Sequence, residues 1–228
     1  QNDLCRTFAS IYVTVHVFQI GCQDIGRLVF EKFLNFEKFF PADVKFEGIH
    51  CRDFDAEDRA RNFAQSLNYE VEFFENIDNL YSAADKVEGK VLIYDAGPPH
   101  LHSQNIGESL RKGFHHLTEK PPSVTRDEHV GERKLASKSS VNYKVDFVER
   151  ENPVVQKIIE IFSEETIEEV KVFRESSFGV QRVLQPVEFS HIKGGCVLDK
   201  MSNDIYVMYL LDTNLEFEEA KIDYVMPD

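Results

Sequence analysis

The chain has 228 residues, with 26 Lys and Arg against 40 Asp and Glu, for a formal net charge of −14. So acidic a surface repels polyanions, which excludes non-specific binding to nucleic acid or to an anionic membrane. A hydrophobic content of 42% and a charged content of 29% describe a globular chain of one large domain or two small ones, and no stretch approaches the ~18 apolar residues that span a bilayer.

In chain order, residues 8–20 form an apolar run rich in β-branched and aromatic residues. It lacks a basic leader and a small-residue cleavage site, so it reads as a buried strand in a cytoplasmic protein. A glycine-containing turn at 21–26 leads into a helix carrying Leu28, Val29, Phe33, Leu34 and Phe36 at helical spacing. Val44–Cys51 is the second strand. Asp55 is the expected N-cap of the next helix, whose acidic first turn suits the helix dipole. A short strand at 71–74, a short helix at 76–84 and a strand at 90–94 follow. The chain continues with a helix at 100–112 closed by Gly113, a strand at 114–118, a helix at 124–138 and a strand at 141–147.

Such alternation with short connections predicts an α/β domain with a doubly wound parallel sheet and right-handed crossovers. After Pro153 the rhythm changes to a helix as far as Phe162, a strand at 168–178, an apolar segment opened by Gly194-Gly195 and running to Leu211, and a strand pattern at 215–225. The reading divides the chain into a first domain, 1–148, and the start of an α+β second domain, 149–228.

Gly21-Cys22-Gln23-Asp24-Ile25-Gly26 lies where a dinucleotide fold turns from its first strand into its first helix. The first glycine allows the tight turn and the last lets helix and strand approach. Free N–H groups at the helix start then face an anionic pyrophosphate. Gln23 stands where the pattern has its middle glycine, so two of three glycines are present. After the second strand, Asp53 can accept from an adenosine ribose diol, while the neighbouring Arg52 can pair with a 2′-phosphate. Asp53 favours NAD; Arg52 keeps NADP open. The four cysteines, Cys5, Cys22, Cys51 and Cys196, form no C-x-x-C pair, and their scatter fits neither a disulfide framework nor a zinc ribbon. Cys22 reads as a small packed residue.

Asp95-Ala-Gly-Pro-Pro-His-Leu-His-Ser103, followed by His116-Leu-Thr-Glu-Lys-Pro-Pro122, resembles the glucose–fructose oxidoreductase / inositol dehydrogenase family. Val145–Pro153 is similar to that family's segment crossing into its second domain, and Gly194-Gly-Cys-Val-Leu-Asp199 to its Gly-Gly-x-x-x-Asp helix start. The resemblance implies an N-terminal Rossmann domain and a C-terminal α+β domain. It also implies hydride transfer between NAD or NADP and a secondary alcohol of a sugar, sugar nucleotide or cyclitol. Lys120 of Glu119-Lys120-Pro121 matches the lysine that serves near the nicotinamide and the substrate hydroxyl, with a cis peptide before Pro121. Gly97, Pro98, Pro99 and His100 match the cofactor cleft, and no metal is implied at His100 and His102. Asp199 matches the second-domain aspartate. Four residues on, however, where the family has a histidine, this chain has Asn203, which cannot take a proton near neutral pH.

Either Lys120 is the base, or Asp199 relays the proton, or the protein is a non-catalytic dinucleotide-sensing or partner-binding member. Family members continue well past residue 228, so the reading expects either a truncated chain or a homo-oligomer that covers the open sheet.

Overall fold

A computed structural model describes residues 14–39, 44–163, 167, 169, 170, 202–212 and 214. The strands are β1 (Val15–Ile20), β2 (Val44–His50), β3 (Glu72–Phe74), β4 (Lys90–Asp95), β5 (His115–Glu119) and β6 (Tyr143–Asp146). The helices are α1 (Asp24–Phe39), α2 (Phe54–Ser66), α3 (Ile77–Ala84), α4 (Pro99–Lys112), α5 (Arg126–Ala136), α6 (Pro153–Phe162) and α7 (Ser202–Leu211), with a 3-10 turn at Val148–Glu151. Apart from residues 169 and 170, which carry no regular structure, the anticipated strands at 168–178 and 215–225 lie outside the described residues, as does the start of the apolar segment at Gly194.

The six strands form one sheet in the order β3-β2-β1-β4-β5-β6, the doubly wound α/β arrangement the alternation predicts. β1 runs parallel to β2, from Val15 beside Val44 to Ile20 beside His50, and parallel to β4, from Val15 beside Lys90 to Ile20 beside Asp95. Winding proceeds outward from β1 through β2 to β3, then returns to the other side of β1 at β4. The strand order therefore reverses between β1 and β4, the place where open α/β sheets bind ligands beyond the carboxyl ends of their strands.

Alternate residues of β1 feed two cores, because successive strand side chains point to opposite faces. Val17 joins Phe30, Leu34, Phe46, Ile49, Ala56, Ala60 and Ala64 under α1 and α2, and Phe18 and Ile20 join Phe74, Leu80, Tyr81, Val91 and Ile93 under α3. Phe30, fully buried, centres the first cluster, with its ring 5.3 Å from Phe46 and 6.3 Å from Phe63. Small residues at Ala56, Ala60 and Ala64, spaced four apart, let α2 lie close on the sheet.

Helix boundaries follow local chemistry. Asp53, not Asp55, caps α2: its carboxylate accepts from Ala56 N at 2.7 Å, and Asp55 falls in the first turn. Both acids fit a capping pattern, but Phe54 is already helical, which leaves Asp53 as the flanking residue. The helix expected at 124–138 begins at Arg126 because Thr125 and Glu128 form a reciprocal capping box. Glu128 Oε2 accepts from Thr125 N at 2.9 Å, and Thr125 Oγ1 accepts from Glu128 N at 3.3 Å. Gly113 ends α4 with φ +77°, as its C′ assignment requires.

The described residues group into two compact units. One holds those up to Gly97 together with Gln104–Leu117 and Leu135–Lys144. The other holds Pro98–Ser103, Thr118–Lys134 and those from Val145 onward. Within the second, Asn152 caps α6 by accepting from Val154 N at 3.0 Å, with Pro153 in the first turn. α7 packs against α6 and the 3-10 turn, and Phe147 stacks on Tyr206 with ring centroids 4.1 Å apart.

Candidate functional site

At the carboxyl end of β1, Gly21 turns the chain with φ +88° and its N–H donates to His50 O at 2.9 Å. A Cβ on Gly21 would stand 2.4 Å from Ala96 O, so the β1–α1 turn and the segment after β4 meet backbone to backbone. Gly26, in the first turn of α1, would place a Cβ 2.6 Å from Gly21 O. These are the two roles the sequence assigns to the first and last glycine: a tight turn, and helix laid closely on strand. Between them Asp24 takes a left-handed φ of +40°, an unfavourable conformation for a non-glycine residue that turns and ligand sites hold in place. Ile25 is exposed beside it.

Two residues that sequence reasoning did not single out build this turn. Gln19 is fully buried on β1 and its Nε2 donates to Gly21 O at 2.7 Å and to Gly26 O at 2.6 Å, tying both ends of the turn together. Asp95 is fully buried at the end of β4; its Oδ1 accepts from Gly97 N at 2.9 Å and its Oδ2 from Asn105 Nδ2 at 2.8 Å. The segment opposed to Gly21 is thereby fixed by a buried carboxylate. The signal was present in each case: a glutamine and an aspartate in otherwise apolar strand runs, each within two residues of a glycine.

Across the turn stands the segment after β2. Gln23 Nε2 donates to Asp53 Oδ2 at 2.7 Å, while Asp53 Oδ1 holds the cap of α2. Arg52 is exposed, and Phe54, the first helical residue of α2, is 85% exposed.

Cys22 and Cys51 are joined by a disulfide with their Cα atoms 5.6 Å apart. This overturns the expectation that the scattered cysteines are unbonded and that Cys22 is merely a small packed residue. The carboxyl ends of neighbouring parallel strands lie about 5 Å apart, so residues just past β1 and β2 are adjacent whatever their sequence separation.

In the second unit, His102 is buried and its Nδ1 donates to Pro121 O at 2.8 Å. That bond ties the first turn of α4 to the segment after β5. The Lys120–Pro121 peptide is cis, as the resemblance implies. Glu119 is buried, Lys120 half-buried, and His100 exposed at the start of α4, where Leu101 N donates to Pro98 O at 2.9 Å. Pro98 and Pro99 are half-buried. Asn203 lies in the first turn of α7, its buried Oδ1 without a hydrogen-bond partner among the described residues. Asp199 lies outside the described residues. Among the described residues, no group of three or more His, Cys, Asp or Glu is placed to hold a metal ion, and no helix is long and apolar enough to cross a membrane.

No protein-family model and no curated protein matches the chain. Solved structures do. Levoglucosan dehydrogenase in complex with NADH is 19% identical with a TM-score of 0.68, over 87% of this chain and 54% of that one. The WlbA dehydrogenase of Thermus thermophilus, in complex with NAD and UDP-GlcNAcA, is 16% identical with a TM-score of 0.67, over 86% and 62%. Apo scyllo-inositol dehydrogenase from Lactobacillus casei is 16% identical with a TM-score of 0.68, over 88% and 55%. The chain thus spans between about half and three-fifths of the length of these dehydrogenases, and it shares their fold: a Rossmann-type parallel sheet with flanking helices.

Proposed function

We propose that this chain carries the dinucleotide-binding portion of an NAD-dependent oxidoreductase of the glucose–fructose oxidoreductase / inositol dehydrogenase family. On this reading it acts on a secondary alcohol of a sugar, sugar nucleotide or cyclitol. The observation that carries the reading is the backbone contact at the strand-order reversal. Gly21 and Gly26 have room for no Cβ, so the tight turn sets the start of α1 close against the carboxyl end of β1, where an anion can approach the helix N-terminus. The fold likeness to dehydrogenases crystallised with NAD or NADH supports it.

The residues present fit a dinucleotide. The main chain of Gly21–Gly26 would hold the pyrophosphate, Asp53 would accept from the ribose diol, and Gly97 would face the cofactor from β4. Pro98, Pro99, His100 and Glu119 are carried over from the resemblance as further cofactor contacts. When bound, the nicotinamide accepts a hydride from an alcohol carbon or returns one. Lys120 is proposed as the group that takes the hydroxyl proton and steadies the developing alkoxide, with Asp199 and Asn203 orienting the substrate. Asn203 also favours a second reading, a member that binds dinucleotide without turnover, because an amide carries no titratable proton.

The division at 148, the homo-oligomer and the cytoplasmic location stand as proposals beside this one. The last requires Cys22–Cys51 to be kept reduced, since disulfides persist in oxidising compartments.

The test is titration with NADH and NADPH, read by nicotinamide fluorescence and calorimetry. NADH binding tighter than NADPH binding is expected from Asp53; binding of neither overturns the proposal. Lys120→Ala should keep NADH binding and lose turnover against a polyol panel.

A further inference from the structure

Asp53 has two carboxylate oxygens and the protein engages both. Oδ1 holds the N-terminus of α2 through Ala56 N at 2.7 Å, and Oδ2 accepts from Gln23 Nε2, also at 2.7 Å. The oxygen bonded to Gln23 is the only one of the two not committed to the helix cap, so it is the one a ribose hydroxyl would reach. An amide N–H and a hydroxyl O–H offer the same kind of donor to that acceptor. Gln23 stands at the middle position of the turn, where a glycine would carry no side chain to reach so far.

From this we infer that Gln23 is a specificity-determining residue that occupies the ribose-diol position on Asp53, and that a dinucleotide must displace its amide to bind. The inference rests on the proposed dinucleotide site and sets its affinity. Gln23 is exposed and Asp53 half-buried. The amide can therefore swing away on its three side-chain torsions, at the cost of one charge-assisted hydrogen bond. A 2′-phosphate fares differently. It is repelled by the Asp53 carboxylate, and the donors available to it are the displaced amide and the exposed Arg52, next in sequence to Asp53. Removing Gln23 thus frees the acceptor for a diol while withdrawing one donor from a phosphate.

The experiment compares wild type with Gln23→Ala and Gln23→Gly, titrating NADH and NADPH and following melting temperature in parallel. Both variants should bind NADH about three- to tenfold tighter, the scale of one net hydrogen bond at a solvent-exposed site. Their NADPH binding should be unchanged or weaker, so the preference ratio rises. If wild type binds NADH but neither variant binds it more tightly while melting as wild type does, Gln23 is no gate and this inference falls alone. If a variant melts lower, Gln23→Met is read in its place: a side chain of similar length with no N–H to give Asp53 should bind NADH more tightly than wild type, and unchanged binding overturns the inference. If neither wild type nor any variant binds either nucleotide, the dinucleotide reading falls with it.

Discussion

Cys22 and Cys51, 29 positions apart in sequence, are covalently joined immediately beyond the carboxyl ends of the two neighbouring strands β1 and β2. The bond closes a loop containing α1 and β2, and closing a loop of this length stabilises the fold by about 3–4 kcal/mol through the entropy withheld from the unfolded chain. A thiol reductant should lower the melting temperature of wild type, and a Cys22→Ser/Cys51→Ser variant should melt at the reduced temperature with or without it. Equal melting of wild type in both conditions would contradict the bond.

Phe30 has no exposed surface and three aromatic neighbours within 6.5 Å. Phe30→Ala leaves a cavity that α1 cannot collapse, because Leu34 and Phe33 on the same helix already fill their own contacts. The expected loss is ~3–5 kcal/mol in denaturant unfolding; a loss under about 1 kcal/mol would argue against the packing.

Gly21→Ala combines a left-handed backbone with a Cβ 2.4 Å from a carbonyl oxygen. It should cost about 2 kcal/mol or more and, by shifting the turn, weaken NADH binding more than it lowers stability. Wild-type affinity in the variant would detach the turn from nucleotide binding.

Phe54 projects into solvent directly after Asp53. If an adenine stacks there, Phe54→Ala should weaken NADH binding by about fivefold or more, the scale of a base–aromatic contact. Phe54→Tyr should restore it. Calorimetry on the three proteins decides the point.

His115 supplies a pH dependence. Burial, and then the nearby Lys90 charge, holds its imidazole below the usual value, and its Nδ1 accepts from Asn142 N at 3.1 Å, a role only the neutral ring can fill. A depressed folded-state value means the unfolded chain binds more protons, so this contribution is fully present above the ordinary histidine range near about 6.5. It is lost as pH falls through the lowered value. His115→Gln should flatten the decline in melting temperature between neutral and mildly acidic pH; an unchanged slope would remove His115 as its source.

The alternation of strand and helix was legible because apolar runs, glycines and capping residues punctuate this chain at regular intervals, and the sheet follows from that rhythm. The turn at Gly21 was legible for the same reason: both glycines answer to steric demands that sequence spacing records. What the spacing could not show was proximity created by the sheet. Cys22 and Cys51 meet only because β1 and β2 are neighbours, and the Gln23 amide finds Asp53 for the same reason. The α2 cap shows a different limit. Asp53 and Asp55 both satisfy the local pattern, and the choice between them falls to where Phe54 begins to coil.

The dependence of both cores on β1 has a consequence for how this chain can change in length. Val17 faces one core and Phe18 the other, and β1 is hydrogen-bonded on both edges, to β2 and to β4. Inserting or deleting one residue within β1 would exchange its inward and outward sets and spoil two hydrophobic layers in a single event. It would also carry Gly21 away from Ala96. The central strand therefore behaves as a fixed ruler for the molecule. Variation in length has to be absorbed elsewhere, outside the strands that feed the two layers.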